Sequence, residues 1–298
     1  MPALIQAHQL SKRYGELYAL KNLELQLQQG DVFGYLGPNG AGKTTTIRLL
    51  LGLIAPTSGS ATLFGLDALR DVTEVHQRLA YVPGDVNLWP SLTGLETLAL
   101  LARVHGRVDT GYRDQLIERF DFDPSKKVRA YSKGNRQKVS LIAALMTRAE
   151  LLILDEPTSG LDPLMEKVFR DCIAEARDNG QTVFLSSHIL SEVEALCDRV
   201  AILRDGELLQ EGTLDELRHL SAIDVEATFD GPPPDVSSVP GVISSSIEGS
   251  RLTAQVNGPV APLLEVLVAA GVRELLSSKP PLEELFLSHY GPRAGVAA

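Results

Sequence analysis

"GPNGAGKTT", residues 37–45, follows the apolar run "DVFGYL" (31–36) and leads into a helical pattern from Lys43 to Leu51. A strand, a glycine-rich loop and a helix in that order make the setting in which such a loop holds phosphate. Gly37, Gly40 and Gly42 let the backbone wrap closely around an anion, so that successive N–H groups point inward. The candidate phosphate-contacting residues are Gly37, Pro38, Asn39, Gly40, Ala41, Gly42, Lys43, Thr44 and Thr45. Lys43 reaches the β- and γ-phosphates, and the Thr44 hydroxyl becomes a ligand for Mg²⁺. The plainer reading is a glycine-rich turn before a helix.

The segment that complements it is "LLILDEPTSGLD", residues 151–162. Four apolar residues read as a buried strand, with Asp155 and Glu156 at its C-terminal end, the edge of a parallel sheet where ligands bind. Two adjacent carboxylates there suit a Mg²⁺ ion held through Asp155 and a water activated by Glu156. Alone, an Asp-Glu pair after a strand is a solvated turn or a helix cap. The preceding phosphate loop makes it informative. "TVFLSSHIL", residues 182–190, adds His188 beyond another strand end, at the same sheet edge as Lys43 and Asp155.

A helix start raises a separate question. "AYSKGNRQKVSLIAALM", residues 130–146, begins an apolar helix with Ser132, Lys133, Gly134 and Asn135. Ser132 suits a cap, but a lysine beside it opposes the helix dipole. An anion in front of the helix would account for that choice.

The rest of the chain frames these segments. Its 298 residues, 44 % of them hydrophobic, suffice for a large domain plus a small one. The formal net charge is −10. The part up to residue 220 has 24 basic and 29 acidic residues, and the last 78 have 4 and 9, so each contributes −5. No Lys/Arg-rich run is present, which argues against nucleic acid as a partner. Cys172 and Cys197 fall in amphipathic helical patterns and read as buried thiols in a reducing compartment. "MPALIQAHQL" lacks a signal-peptide layout. Apolar runs such as "VSLIAALM" are far shorter than the roughly 18 residues of a membrane span. The expectation is a soluble, cytoplasmic chain whose membrane part, if it has one, is another chain.

Short apolar stretches over residues 3–36 read as strands, followed by strands "SGSATLFG" and "RLAYVPG". Residues 93–147 read as mostly helical, with breaks near Gly106, Gly111 and Pro124. Strand "LLILD", a helix over 163–179, strand "TVFLSS", helix "ILSEVEALC" and one strand "RVAILRDGELLQEG" follow. Strands alternating with helices predict a parallel α/β core, and the block of about 86–147 reads as an inserted helical lobe. After residue 220 the pattern becomes a small α+β unit. Its strands are "IDVEATF", "VISSSIE", "RLTAQV" and "VRELLSS". It also has a proline-rich loop "GPPPDVSSVPGV", a helix over about 260–270 and a final helix "PPLEELFLSHY". The expected domains are therefore 1–220 and 221–298.

The ordered set "GPNGAGKTT", "YSKGN", "LLILDEPTSGLD" and "SSH" resembles the nucleotide-binding subunit of an ATP-binding cassette (ABC) transporter over residues 3 to about 220. The resemblance implies a P-loop NTPase fold, with a RecA-like core sheet, an antiparallel β region and a helical lobe. It implies ATP and Mg²⁺ as cofactors, a homodimer meeting head to tail, and integral-membrane permease subunits as partners that hold the chain at the inner face of the membrane. Ser132 and Gly134 would then bind the γ-phosphate of nucleotide held by the other copy. Tyr14 in "SKRYG" would stack on adenine, Asp162 would lie at the dimer interface and His188 would be the switch histidine. Lys133 and Asn135 depart from the usual Leu-Ser-Gly-Gly-Gln pattern, with Lys133 expected to face the triphosphate.

A second departure is Gly84 in "LAYVPGDVNLWPSLTG", where the family has a glutamine that senses Mg²⁺ and the attacking water. Asp85, a water, or purely mechanical coupling through the loop are the three readings of that position. The C-terminal unit is similar to the small domain that follows the cassette in bacterial drug and antibiotic exporters, so export is the implied direction. The competing functions are a soluble ABC ATPase acting mechanically on ribosomes or DNA, and an unrelated phosphate-loop kinase or GTPase. A single cassette, an acidic balance and the absence of sustained heptads or an Asn-Lys-x-Asp stretch weigh against both.

Overall fold

The structure is a computed structural model, described over residues 3–106, 108–219 and 223–278. The helix expected over "PPLEELFLSHY" lies outside the described residues. The chain divides into two compact units, Met1–Gly212 and Thr213–Ala298.

The first unit opens with β1 (Ile5–Tyr14) and β2 (Leu17–Leu27), followed by β3 (Val32–Leu36), α1 (Lys43–Leu50), β4 (Ser58–Leu63) and β5 (Leu66–Asp67). Then come α2 (Val72–His76), β6 (Leu79–Val82), α3 (Gly94–His105), α4 (Thr110–Arg119) and α5 (Lys133–Leu145). The chain returns through β7 (Leu151–Asp155), α6 (Pro163–Asp178), β8 (Thr182–Ser187), α7 (Leu190–Leu196), β9 (Arg199–Arg204) and β10 (Glu207–Thr213).

A six-stranded sheet runs in the order β10-β9-β3-β8-β7-β6, with β3 parallel to β8 and β9, and β7 parallel to β6 and β8. Every residue of β3, β7 and β8 is buried. That is why these strands are dominated by apolar runs rather than by alternation, with the buried polar residues Asp155, Ser186 and Ser187 at the ends of β7 and β8. A second sheet, β2-β1-β4-β5, is antiparallel. Its inward faces (Ile5, Leu23, Leu27 and Leu63) share one core with Ile47 and Leu50 of α1 and with Phe33, Tyr35 and Phe184 of the parallel sheet. Burying a side chain of this size is worth about 1.5–3 kcal/mol. The helix that begins at the phosphate loop is therefore anchored from both sheets.

Helices α3, α4 and α5 form the lobe, with Leu98, Leu116, Phe120 and Leu141 fully buried. A capping box pins the start of α3, where Thr93 and Glu96 satisfy each other's backbone N–H groups. Two expectations are corrected here. Gly111 does not break a helix; it lies in the first turn of α4, whose cap is Asp109. "RVAILRDGELLQEG" is two adjacent strands, because Asp205 and Gly206, both at positive φ, turn the chain between them.

The second unit has α8 (Leu214–His219), β11 (Ile223–Phe229), β12 (Val242–Glu248), β13 (Arg251–Val256), α9 (Ala261–Ala269) and β14 (Val272–Ser278). Its antiparallel sheet runs β12-β13-β11-β14. Alternate residues Val225, Ala227, Leu252 and Ala254 pack with Leu263 and Leu267 of α9. In the first unit Cys172 and Cys197 are buried free thiols, and burial pushes the Cys172 thiol up to about 12.

Candidate functional site

The loop 37–42 leaves the C-terminal end of β3 and is fastened at three points. Gly37 N donates to Ser187 O at the end of β8 (3.2 Å), Ala41 N donates to Pro38 O (3.1 Å), and Ala41 O accepts from Gly206 N in the β9–β10 turn (3.0 Å). Gly42 caps α1 at φ 109°, in the left-handed region, with the Ala19 carbonyl oxygen pressed against the place a Cβ would occupy. Only glycine suits both demands. No side chain caps this helix start, which leaves its first N–H groups for an anion.

Lys43 is 5 % exposed and curls into the loop it follows. Its Nζ donates to Gly37 O (2.7 Å) and Pro38 O (3.1 Å) and lies 3.4 Å from Glu156 Oε1. The Thr44 hydroxyl donates to Asp155 Oδ2 at 2.9 Å. Asp155, at the end of β7, accepts from Ser186 Oγ at 2.5 Å on its other oxygen. Glu156 has φ +49°, a conformation uncommon outside glycine. Its N–H points back at Ser186 (O 3.1 Å, Oγ 3.2 Å). His188 Nδ1 stands 3.3 Å from Glu156 Oε1. Lys43, Thr44, Asp155, Glu156 and His188 thus form one linked group at the ends of β3, β7 and β8. Ser186, which sequence reading missed, is central to it. As the penultimate residue of an apolar strand it reads as a strand end, and only the β7–β8 register, pairing it with Asp155, reveals its role.

The donor set fits Mg²⁺. A hydroxyl and a carboxylate oxygen side by side are hard oxygen ligands, and this ion takes one or two such groups and completes its shell with water and phosphate. Gly84 faces the same carboxylate: a Cβ built there would lie 3.6 Å from Asp155 Oδ2. Asp85 is exposed and accepts from Asn87 Nδ2 at 3.4 Å. That geometry weighs against Asp85 as a stand-in for the missing side chain. Burial first, and the Asp155 charge second, push the phenol of nearby Tyr81 up to about 12.

Ser132, Gly134 and Asp162 gather elsewhere, around the segment following Glu156. The Ser132 hydroxyl caps α5 by accepting from Asn135 N (3.3 Å). Gly134 is packed so closely on Gly160 that a Cβ would overlap its carbonyl oxygen. The Gln137 amide donates to Pro157 O at 2.8 Å. Lys133 donates to Ser159 Oγ at 2.8 Å. Asp162 caps α6 through Leu164 N and Met165 N, both at 3.0 Å. Among the described residues no hydrogen bond or ion pair joins this second group to Lys43 or Thr44. Tyr14, 50 % exposed at the end of β1, lies beneath Lys12 Nζ at 5.1 Å and is likewise not tied to the loop.

Between core and lobe runs a groove of about 690 Å³ whose walls include Tyr81, Val86, Trp89, Leu101, Val104 and Ala143. Trp89 and Val104 are 48 % and 78 % exposed. Burial lowers the pKa of His105 in the same wall, favouring the neutral ring. Among the described residues no helix is long and apolar enough to cross a membrane.

Three kinds of comparison with known proteins agree. A family model described as ABC transporter matches residues 20–159. The chain is 40 % identical over 221 residues to the bacitracin transport ATP-binding protein BcrA of Bacillus licheniformis, covering 73 % of this chain and 72 % of that one. It is 32 % identical over 299 residues to the Nod factor export ATP-binding protein I of Cupriavidus metallidurans, with 98 % of each covered. Its fold is similar to the dimeric structure of the bacterial ABC transporter cassette MJ0796, with a TM-score of 0.65 and 25 % identity over 70 % of this chain and 98 % of that one.

Proposed function

The chain belongs to the ABC transporter family, as an ATP-binding and ATP-hydrolysing subunit, and from that premise we propose that it drives export through a separate membrane permease by closing and reopening a head-to-tail homodimer. The observation that carries this reading is the linked group Lys43, Thr44, Asp155, Glu156 and His188 at one sheet edge.

In this reading the free N–H groups of the loop and of α1 take the phosphates. Lys43 exchanges its carbonyl partners Gly37 and Pro38 for phosphate oxygens. Thr44 and Asp155 hold Mg²⁺, which neutralises phosphate charge when bound. Glu156 accepts the proton of the attacking water, and His188 fixes the carboxylate that does so and reaches the γ-phosphate. Ser132 and Gly134 sit at a helix start whose remaining N–H groups address nucleotide held by a second copy. The dimeric state of the MJ0796 cassette supports that pairing. The apolar groove beside Trp89 and Val104 is suited to a helical segment of the permease. The names of the bacitracin and Nod factor relatives support export as the direction. The match of the latter over 98 % of the chain extends the likeness to the second unit. Tyr14 is proposed to stack on adenine.

Light scattering of purified Glu156→Gln, with and without ATP and Mg²⁺, tests the reading. The expected result is an ATP-dependent shift from monomer to dimer that Ser132→Arg abolishes. ATP binding without any shift, in the presence of the permease, would overturn the head-to-tail reading.

A further inference from the structure

Two loops carry the proposed base and its histidine, and one side chain is bonded to both. Glu192, in the first turn of α7, accepts from Thr158 Oγ1 on one oxygen and from Ser187 Oγ on the other, each at 2.6 Å. Thr158 lies two residues beyond Glu156, and Ser187 immediately precedes His188. Both hydroxyl-bearing residues are buried, at 8 % and 1 % exposure. Ser187 Oγ also accepts from Ile189 N at 2.9 Å, closing a tight turn around His188.

The paired strands cannot supply this alignment alone. The β7–β8 ladder ends at Asp155 and Ser186, and a single further backbone bond, from Glu156 N to Ser186 O, extends it. Past that bond the β7–β8 pairing offers no further contact, and the Glu192 carboxylate forks from the last residue of β8, Ser187, to Thr158 in the segment after Glu156. Hydrogen bonds to an ionised acceptor are short and strong. A two-pronged one fixes distance and direction together.

We infer that Glu192 is a positioning residue for hydrolysis, holding the loops so that Glu156 Oε1 and His188 Nδ1 stay in contact, 3.3 Å apart here. The inference rests on the roles proposed above for Glu156 and His188. Glu192 does not touch the phosphate loop, so its effect falls on turnover and not on nucleotide affinity.

The test is ATP hydrolysis and ATP binding by the full chain. In Glu192→Ala, kcat falls about 10–100-fold, the scale of a misplacement near 1 Å, while ATP affinity is unchanged. Glu192→Gln restores most of the loss, because its amide accepts one hydroxyl bond and donates the other. Thr158→Val and Ser187→Ala each remove one prong and each reproduce part of the loss. In a His188→Ala background, Glu192→Ala adds little, as for residues acting as a unit. An unchanged kcat in folded Glu192→Ala, or full additivity with His188→Ala, overturns the inference. If Glu192→Ala does not fold, an unchanged kcat in both single-prong variants overturns it equally. Glu156→Gln run alongside separates the two levels. Wild-type hydrolysis there removes the premise, whereas loss there with no effect at Glu192 removes only the fork.

Discussion

Helices α1 and α5 both begin on a lysine with no acidic residue in the first turn, unlike α3 and α6 with Glu96 and Glu166. They are finished in opposite ways. The start of α1 has no side-chain cap, and its lysine is buried among carbonyls and a carboxylate of its own site. The start of α5 is capped by Ser132, its lysine is exposed, and that lysine is tied to Ser159. An uncapped, glycine-led helix start leaves its donors for a ligand. A capped one whose glycine is pressed against a neighbouring loop has its shape fixed by the protein itself. One chain thus contains one open helix start and one that is capped and braced by the segment following Glu156.

The sharpest way to test that contrast is at the chemistry it isolates. Glu156→Gln should slow phosphate release in single turnover by about 10²–10⁴-fold, the usual worth of a general base, with ATP binding retained. Lys43→Met should weaken ATP binding about 10–100-fold, as expected for losing a hydrogen bond to a charged group, measured by titration calorimetry. Lys133→Met should leave the affinity of the isolated chain unchanged. Equal losses in the two would erase the distinction between the helix starts.

A paired glycine experiment is smaller in scale. Gly134→Ala drives a methyl into the Gly160 carbonyl and should lower stability by about 1–3 kcal/mol, the cost of overpacking, seen as a reduced denaturant midpoint with ATP affinity intact. Gly42→Ala should also lose ATP affinity. Gly84→Gln is the gentlest change. It places an amide beside Asp155 and should shift the Mg²⁺ dependence of turnover by only a few-fold, a hydrogen bond's net worth. A magnesium titration that superimposes on wild type would show that the position has no part in ion handling.

Much of this was legible in the residues. "GPNGAGKTT" and "LLILD" announce themselves because a phosphate loop and a doubly buried strand each impose a composition that little else shares. The connections between them were not legible. Ser186 meets Glu156, and Glu192 meets Thr158, across 30 and 34 residues of chain, and nothing in a local pattern signals that separation. At Lys133 a helix start shows its charge but not the Ser159 hydroxyl that a folded neighbour brings to it. The turn at Asp205–Gly206 is easily overlooked inside the apolar stretches that begin beyond Arg204 and Glu207, although an Asp-Gly pair is among the stronger hairpin signals. Gly111 misled in the other direction. Glycine's reputation as a breaker says nothing about the first turn of a helix already capped by Asp109.

The chain has one tryptophan, and it is Trp89, half exposed in the wall of the groove between core and lobe and five positions along the chain from Gly84. All indole fluorescence from this protein therefore originates at a single address. A helix seating in the groove would shift that emission to the blue and shield it from iodide, and a rearrangement of the loop beside Asp155 would register in the same signal. The molecule carries a label-free optical gauge at the place where its nucleotide cycle would be handed on to another chain.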